Sequence, residues 1–484
     1  MKKRFAAMFL IILLSAGLFM QPAYANSAQR NWSGTDSTGA VVPGEDCPIV
    51  VERELLTFDI QEFPEQYYPD TESFLAYTGK VTAEYTFRNP ADYTVTATLV
   101  FPFGTVPSYG ERIYNMENRM ASYPSDTEKY GVTVDEKPID AAVRHTLKAW
   151  SDQFSLEEDL PKLADDYITD DFFTPDMSVW IRQYIVRNID SEYESATAVF
   201  TWEEDASEVR VMSPEMNGYQ SFDGGFQAFS RVRNGDTLTL YIFGKLPITP
   251  IRLALYEDFS CKKRIDGEVA IESSEWISFE CYVLSKNNAA SGIAAHDFYN
   301  AHVEYLRSAS EAYGSGFINC EDKVFSLMRW YEYTITLAPG QTITNTVTAP
   351  LYPAIDAGYT PSIYEYTYLL SPANTWAQFG ALDIVINTPY YMTECGIDGF
   401  HKTDGGYALS LSGLPEGELT FTLSESEKPQ PPTWSILKSP AELIILLVMV
   451  LIIAGWCNRA YTGLKGWKNA EKTTAEQEKD ASQK

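Results

Sequence analysis

Lys80-Val-Thr-Ala-Glu-Tyr-Thr-Phe87 alternates apolar and polar side chains, and this period of two decides the fold class. Val81, Ala83, Tyr85 and Phe87 fall on one face, while Thr82, Glu84 and Thr86 fall on the other, as a half-buried strand requires. Comparable runs occupy Ile49 to Phe58 and Val95 to Phe103. Asn89-Pro90 breaks the chain between the Lys80 run and Val95 to Phe103, so an antiparallel hairpin of these two is predicted there. Phe101-Pro102-Phe103-Gly104 closes the second strand, because proline has no N–H to donate to a ladder.

Working outward, strands are predicted over Lys129 to Asp135 and Val143 to Leu147, on either side of a Glu136-Lys137-Pro138 turn. Others follow at Tyr331 to Leu337, Thr342 to Ala349, Tyr364 to Tyr368, Leu382 to Ile386, Tyr407 to Leu411 and Leu419 to Leu423. Aromatic residues make up 14% of the chain, which suits strands. Helix is confined to short stretches. Ser108-x-x-Glu111 resembles a capping box ahead of Ile113, Met116 and Met120, and Leu160, Leu163 and Tyr167 predict another helix with Pro161 in its first turn. The strongest soluble helix is Ser291 to Tyr313, where Ala295, Phe298, His302, Tyr305, Ala309 and Ala312 recur at intervals of three and four; Gly314 ends it. The fold class is therefore mainly β: two or more β-sandwich-like domains with a few short helices, followed by one transmembrane helix. Tyr184-Ile-Val-Arg187-Asn188 also echoes Tyr85-Thr-Phe-Arg88-Asn89, which a duplicated domain or chance would both produce.

Two apolar runs set the topology. Phe5 to Met20 follows Lys2, Lys3 and Arg4 and leads into Ala23-Tyr24-Ala25, the order of a secretory signal peptide over 1–25. Ala441 to Cys457 has one charge, Glu442, and its seventeen residues span about 26 Å as a helix, close to a bilayer core. Lys438 stands before it, and Arg459, Lys465 and Lys468 come after, which places the 458–484 tail in the cytoplasm. An extended lead-in is expected over 26–46, β-rich regions over 47–260 and 261–425, and a proline-rich stalk over 426–440. The expected location is a cell membrane, crossed once, with the N-terminal ectodomain outside.

From Asn26 to Trp434 there are 27 basic and 61 acidic residues, a net charge of −34. Such a surface repels nucleic acid, so no nucleic-acid partner is expected; the membrane and an extracellular protein or glycan are the expected partners. Calcium is an alternative use for the acid, with simple solvation the plainer one. Five cysteines precede the anchor, Cys47, Cys261, Cys281, Cys320 and Cys395. Cys261 and Cys281 flank a strand pattern and are the first candidates for a bridge, with unpaired buried thiols an equal alternative.

Catalytic patterns are not visible. Of the histidines His145, His296, His302 and His401, only His296 and His302 are near neighbours. Six residues turn them some 120° apart on a helix, so His302 reads as structural rather than as a metal ligand. There is no G-x-S-x-G elbow, Walker loop or dinucleotide fingerprint, and no cofactor is expected. Asp165, Asp166, Asp170 and Asp171, beside Phe172 and Phe173, form the densest acidic cluster and read as a solvated loop. Should a catalytic carboxylate pair exist, Asp170 or Asp171 is its candidate. Tyr364, Tyr366, Tyr368, Trp376, Phe379, Tyr390 and Tyr391 could stack on sugar rings, but most are expected in the core. No catalytic, cofactor or metal residue is assigned.

Ile49 to Pro107, with Tyr85-x-Phe-Arg-Asn and Thr98-Leu-Val-Phe-Pro102, resembles secreted β-rich bacterial proteins of unknown function. Tyr366-x-Tyr-Leu-Leu-Ser371-Pro-Ala-x-x-Trp376 is similar to their later part. The resemblance implies an envelope protein of a Gram-positive host and brings no catalytic residues; a wall-sorting L-P-x-T-G is absent. The expected function is binding, adhesion or sensing without catalysis. The alternatives are a membrane-anchored hydrolase of wall polymer or glycan, and an accessory subunit of a membrane complex.

Overall fold

The computed structural model describes residues 31–32, 36–40, 47–63, 79–104, 130–147, 156–203, 208–216, 218–222, 225–245, 251–287, 292–313, 316–318 and 327–431. The signal sequence, the predicted helix at Ser108, the anchor, the tail and most of the lead-in and stalk lie outside these residues. Among the described residues no helix is long and apolar enough to cross a membrane. The chain divides into two compact units, Met1–Pro429 and Gln430–Lys484, and every strand and helix named below belongs to the first.

In chain order come β1 (Val50–Asp59), β2 (Gly79–Arg88), β3 (Val95–Gly104), β4 (Gly131–Val134) and β5 (Ala142–Leu147). The middle of the chain supplies β6 (Ser178–Arg187), β7 (Ala196–Trp202), β8 (Val209–Met212), β9 (Gly218–Phe222), β10 (Gly225–Val232), β11 (Thr237–Gly244) and β12 (Glu268–Ser278). Helices α1 (Phe279–Lys286) and α2 (Ala295–Tyr313) follow. The last part holds β13 (Leu327–Leu337), β14 (Thr342–Leu351), β15 (Ile363–Leu369), β16 (Phe379–Asn387), β17 (Gly406–Leu411) and β18 (Leu419–Ser424).

The alternation that predicts β2 is realised: Val81, Ala83, Tyr85 and Phe87 are buried and the residues between them are half-buried. Its expected hairpin with β3 is not formed. β2 pairs with β1 on one side and β14 on the other, while β3 crosses to a second layer and pairs with β13. The cause is Asn89. Its buried amide donates to the carbonyls of Tyr93, Leu337 and Ala338, and its Oδ1 accepts from Ala91 N–H, so the connection turns between layers rather than back along one sheet. The turn expected at Glu136-Lys137-Pro138 also shifts. Asp135 and Glu136, with φ of 50° and 63°, make it, and Pro138 falls in a strand at the sheet's edge, where a missing donor costs little.

Among the described residues one sheet of eight strands runs through β17, β16, β1, β2, β14 and β4. Its inner face packs on two smaller sheets, β3-β13-β5 and one built on β15 and β18, through Phe58, Phe87, Phe101, Tyr366 and Phe421. β1 and β16 lie parallel from Val51 beside Phe379 to Asp59 beside Asn387, so the early and late parts of the chain share one core.

The middle of the chain repeats the outer arrangement. In the outer copy β2-β14-β4 faces β3-β13-β5; in the inner copy β6-β11-β8 faces β7-β10-β9, with the strands taken in the same sequence order and with the same antiparallel partners. The inner copy is inserted between β5 and β13. The Tyr85 and Tyr184 echoes end the corresponding strands β2 and β6. The turns before β14 and β11 match bond for bond. Gln341 N–H donates to Ala338 O and its side chain accepts from Ala338 N–H; Asp236 does the same with Arg233. Gly340 and Gly235, with φ of 70° and 92°, take the left-handed position in each.

Insertion also removes the expected border at 260. β12, beyond it, pairs with β6, before it, and β1 pairs with β16. α1 and α2 cover the outer face of the β12-β6-β11-β8 sheet through Phe279, Tyr282, Phe298 and Tyr299 against Val179, Met212 and Phe243. α2 begins at Ala295, with Ser291 outside the described residues. It is not a one-sided stripe, since Ala295 is exposed while Asp297, Asn300 and Ser310 are buried. The helix expected around Leu160 is one short turn, Leu156–Asp159, followed by a tighter one, Leu160–Lys162, containing Pro161; Tyr167 lies outside both and stacks on Tyr299.

Candidate functional site

The structure sends the histidines in different directions. His302 is fully buried among the rings of Tyr282, Phe298 and Tyr305, and His296 lies 3.2 Å from Asp297. His145 is buried on β5, where burial, and then the nearby Arg329 and Arg144, push its pKa down to about 3. His401 is exposed, in the short strand beside β17. No group of three acidic, histidine or cysteine side chains is set to hold a metal among the described residues. Cys47, Cys261, Cys281 and Cys395 are free thiols. The bridge considered for Cys261 and Cys281 is not made. The eleven residues of β12, roughly 35 Å as a strand, lie in the chain between them.

Most of the late aromatic stretch is core, while Phe379 and Tyr390 are half-buried and Tyr391 is exposed. Tyr364, Tyr366, Tyr368 and Trp376 are buried, the Trp376 indole donates to Ala40 O at 3.0 Å, and Phe63 is stacked between Tyr364 and Tyr390. Within the same core sits Glu54, 1% exposed. The Tyr368 hydroxyl donates to it at 3.5 Å, and burial pushes its pKa up to about 7 against the opposing effect of the Tyr85 and Tyr368 hydrogen bonds.

The acidic cluster separates on folding. Asp165 reaches back to Arg144 at 3.2 Å, and the Asp166 carbonyl accepts from Asn300 on α2. Asp170 instead shapes the chain. Its Oδ1 accepts from the backbone N–H groups of both Phe172 and Phe173 at 2.8 Å, a local turn that an aspartate makes readily. This drives Phe173 into the core against Phe243 and Phe279 and leaves Phe172 half-buried as a wall. Across the wall lies Arg210 of β8, whose guanidinium sits 4.0 Å from the Phe172 ring centre and 5.1 Å from that of Phe173. Burial lowers the Arg210 pKa, and the charges of Asp170 and Glu311 oppose that shift.

Phe172 divides two neighbouring concavities. The larger, about 590 Å³, opens at the end of the inner sheet where β6 starts and β11 ends. Asp171, Thr174, Asp176, Trp180 and Lys245 line it. The Lys245 ammonium meets Glu208 at 2.8 Å, and Thr174 donates to Asp176 at 2.9 Å. Gly244, φ 91°, lets β11 leave the sheet here; a Cβ at this position would collide with Glu208 O. Trp180 has the 61% exposed Trp276 of β12 beside it, ring centres 6.4 Å apart. The smaller concavity, about 370 Å³, brings Arg210 and Arg307 together with Asp170, Asp171 and Glu311.

No family model and no curated protein matches this chain. Among solved structures it is similar to a protein of Legionella pneumophila, provisionally described as nutrient binding. The identity is 11% and the TM-score 0.28, over 82% of this chain and 72% of that one. A likeness at that level carries neither a fold nor a function across.

Chemically, the two concavities offer recognition groups. Aromatic faces at Phe172 and Trp180 can cover an apolar or ring-shaped group, and the cations and carboxylates can take a polar one. Of these residues the sequence marks Asp170, Asp171 and Phe172. Arg210, Arg307, Trp180 and Lys245 carry no local signal, since each sits in an ordinary strand, helix or strand end and joins the site only through folding.

Proposed function

We propose that this is a single-pass protein of a bacterial cell surface, whose body up to Pro429 stands outside the membrane and binds a ligand without turning it over. The membrane assignment rests on the leader, on Ala441 to Cys457 and on the basic residues that follow. The binding assignment rests on one observation: the Phe172 wall, held from behind by Asp170 and faced by Arg210, separates two preformed concavities. Preformed, few-in-number concavities with placed polar groups are where ligands bind.

Around the wall three carboxylates already have partners, Glu208 with Lys245, Asp176 with Thr174 and Asp170 with backbone N–H groups. Glu54, the carboxyl that burial moves to about 7, lies enclosed in the outer core. A hydrolase needs a proton donor facing its substrate, and these observations favour a binder.

The test uses full-length protein and a Phe172→Ala variant, screened against wall glycans, peptides and small solutes for binding and for turnover. Binding that Phe172→Ala removes without lowering the melting temperature supports the proposal. Turnover by wild type, lost in the variant, overturns it in favour of the hydrolase. The topology has its own check: an epitope after Lys472 that is accessible on unbroken cells would reverse the orientation.

A further inference from the structure

We infer that the smaller concavity is a seat for the charged head of a free amino acid, with the carboxylate on Arg210 and Arg307 and the ammonium on Asp170, Asp171 and Glu311. This rests on the reading of the Phe172 region as a ligand seat, and it names the ligand class.

Size comes first. About 370 Å³ is near the lower end of small-molecule sites, room for a compact solute rather than for several units of a polymer. Charge comes next. A simple anion there would face three carboxylates, and a simple cation would face two guanidinium groups. A ligand with both signs a few ångströms apart satisfies both sets, and its zero net charge spares it repulsion from an ectodomain of −34.

Preorganisation is the third argument. The guanidinium of Arg210 is held against the Phe172 ring at 4.0 Å, which fixes the plane of its fork. A fixed fork loses little freedom when it grips a carboxylate with two parallel hydrogen bonds. Arg307 and Glu311 are four residues apart on α2 and so share one helix face. The cations therefore arrive from two rigid elements, β8 and α2. Asp170 engages the backbone N–H groups of Phe172 and Phe173 through Oδ1, which fixes its carboxylate at the rim of the seat.

The wall also predicts selectivity. Because Phe172 borders both concavities, a side chain leaving the seat would pass it toward Met177 and Trp180 in the larger cleft. Apolar and aromatic amino acids should be preferred over charged ones.

The experiment is calorimetric titration of the full-length protein with each of the common free L-amino acids, then with the N-acetyl and carboxamide forms of those that bind. Apolar or aromatic amino acids should bind. Blocking either charge should weaken binding by roughly tenfold or more, as expected when a charged partner is left unmatched. Arg307→Gln should weaken it similarly with unchanged melting of the unliganded protein. Arg210→Lys, which keeps the charge and loses the fork, is the second variant should Arg307→Gln disturb folding. Equal binding of a blocked form, or undiminished binding by both variants, overturns the inference. So does binding of a glycan or peptide through Phe172 with no response to any free amino acid, and that result leaves the proposed function standing. No binding of any class, or turnover, overturns both.

Discussion

Arg144 of β5 and Asp297 in the first turn of α2 form a buried ion pair, 3.0 Å from Nη2 to Oδ1, that joins the outer copy of the fold to the inserted part. Nε of Arg144 reaches both carboxylate oxygens, Nη1 reaches Glu332 at 2.8 Å, and His145 N–H donates to Asp297 at 2.9 Å. Every polar group of the pair is thereby matched, the condition under which a buried ion pair can be held at all. The carboxylate also lies at a helix N-terminus, where the helix dipole favours it.

Removing one partner should therefore cost far more than removing both. Arg144→Ala should lose about 3–5 kcal/mol, because Asp297 is left buried without its cation. Arg144→Met combined with Asp297→Leu should recover part of that loss. Urea unfolding of wild type, Arg144→Ala, Arg144→Met, Asp297→Leu and the double variant checks this; a double-variant loss equal to the sum of the Arg144→Met and Asp297→Leu losses would show that the pair is not coupled.

Glu54 predicts a loss of stability as pH rises from acid to neutral. Its folded pKa of about 7 stands above the 4.5 of the unfolded chain, so between these values the folded protein keeps a proton that the unfolded chain has released. Stability is then greatest below about pH 4.5 as far as this group is concerned, falls as pH rises to 7, and is level beyond; the full drop is about 3 kcal/mol. Glu54→Gln, neutral at every pH, should track wild type at pH 4.5 and exceed it at pH 8. Parallel stability curves for the two would refute the assignment.

The repeated turn makes a paired prediction. Gly340 and Gly235 occupy the same left-handed position, and at neither would an added Cβ meet an atom within 4 Å. Steric contact is thus removed from the comparison and only backbone strain remains. Gly340→Ala and Gly235→Ala should each cost about 1 kcal/mol. Thermal melts showing one costly and one neutral would argue that the two turns are not equivalent.

Strand existence was legible because Val81, Ala83, Tyr85 and Phe87 alternate whatever they pair with. Pairing was not legible. A connection such as Asn89-Pro90 reads the same whether the chain doubles back in one sheet or crosses to another, and only the distant carbonyls of Leu337 and Ala338 decide it. The inserted copy hid itself for a related reason, since β5 and β13 are neighbours in space but far apart in sequence. α2 misled in its polar positions. Asp297 and Asn300 look like a solvent face, yet they are buried because Arg144 and the backbone of Asp166 and Ile168 close over them. At the site, Asp170 beside Phe172 and Phe173 was the one local hint, and it came without the arginines that give it meaning.

Asp170 links the local sequence to the site, and its substitutions should separate shape from charge. Through Oδ1 it fixes the N–H groups of Phe172 and Phe173, and through Phe172 it fixes the surface on which Arg210 lies. Asparagine keeps an oxygen acceptor at that position, so Asp170→Asn should preserve the turn and remove only a negative charge. Alanine removes the acceptor. In Asp170→Ala the two N–H groups lose their partner, at a cost of about 1–2 kcal/mol in stability, and the Phe172 wall loses its support. Binding at the Phe172 region should then fall further in the alanine variant than in the asparagine variant for any ligand, and the asparagine variant itself should weaken only a ligand that places a cation against Asp170. Hydrogen exchange at the Phe172 and Phe173 amides gives the structural readout, with faster exchange expected only in Asp170→Ala. Fast exchange in both variants would mean that the carboxylate charge, and not its acceptor oxygen, holds the turn.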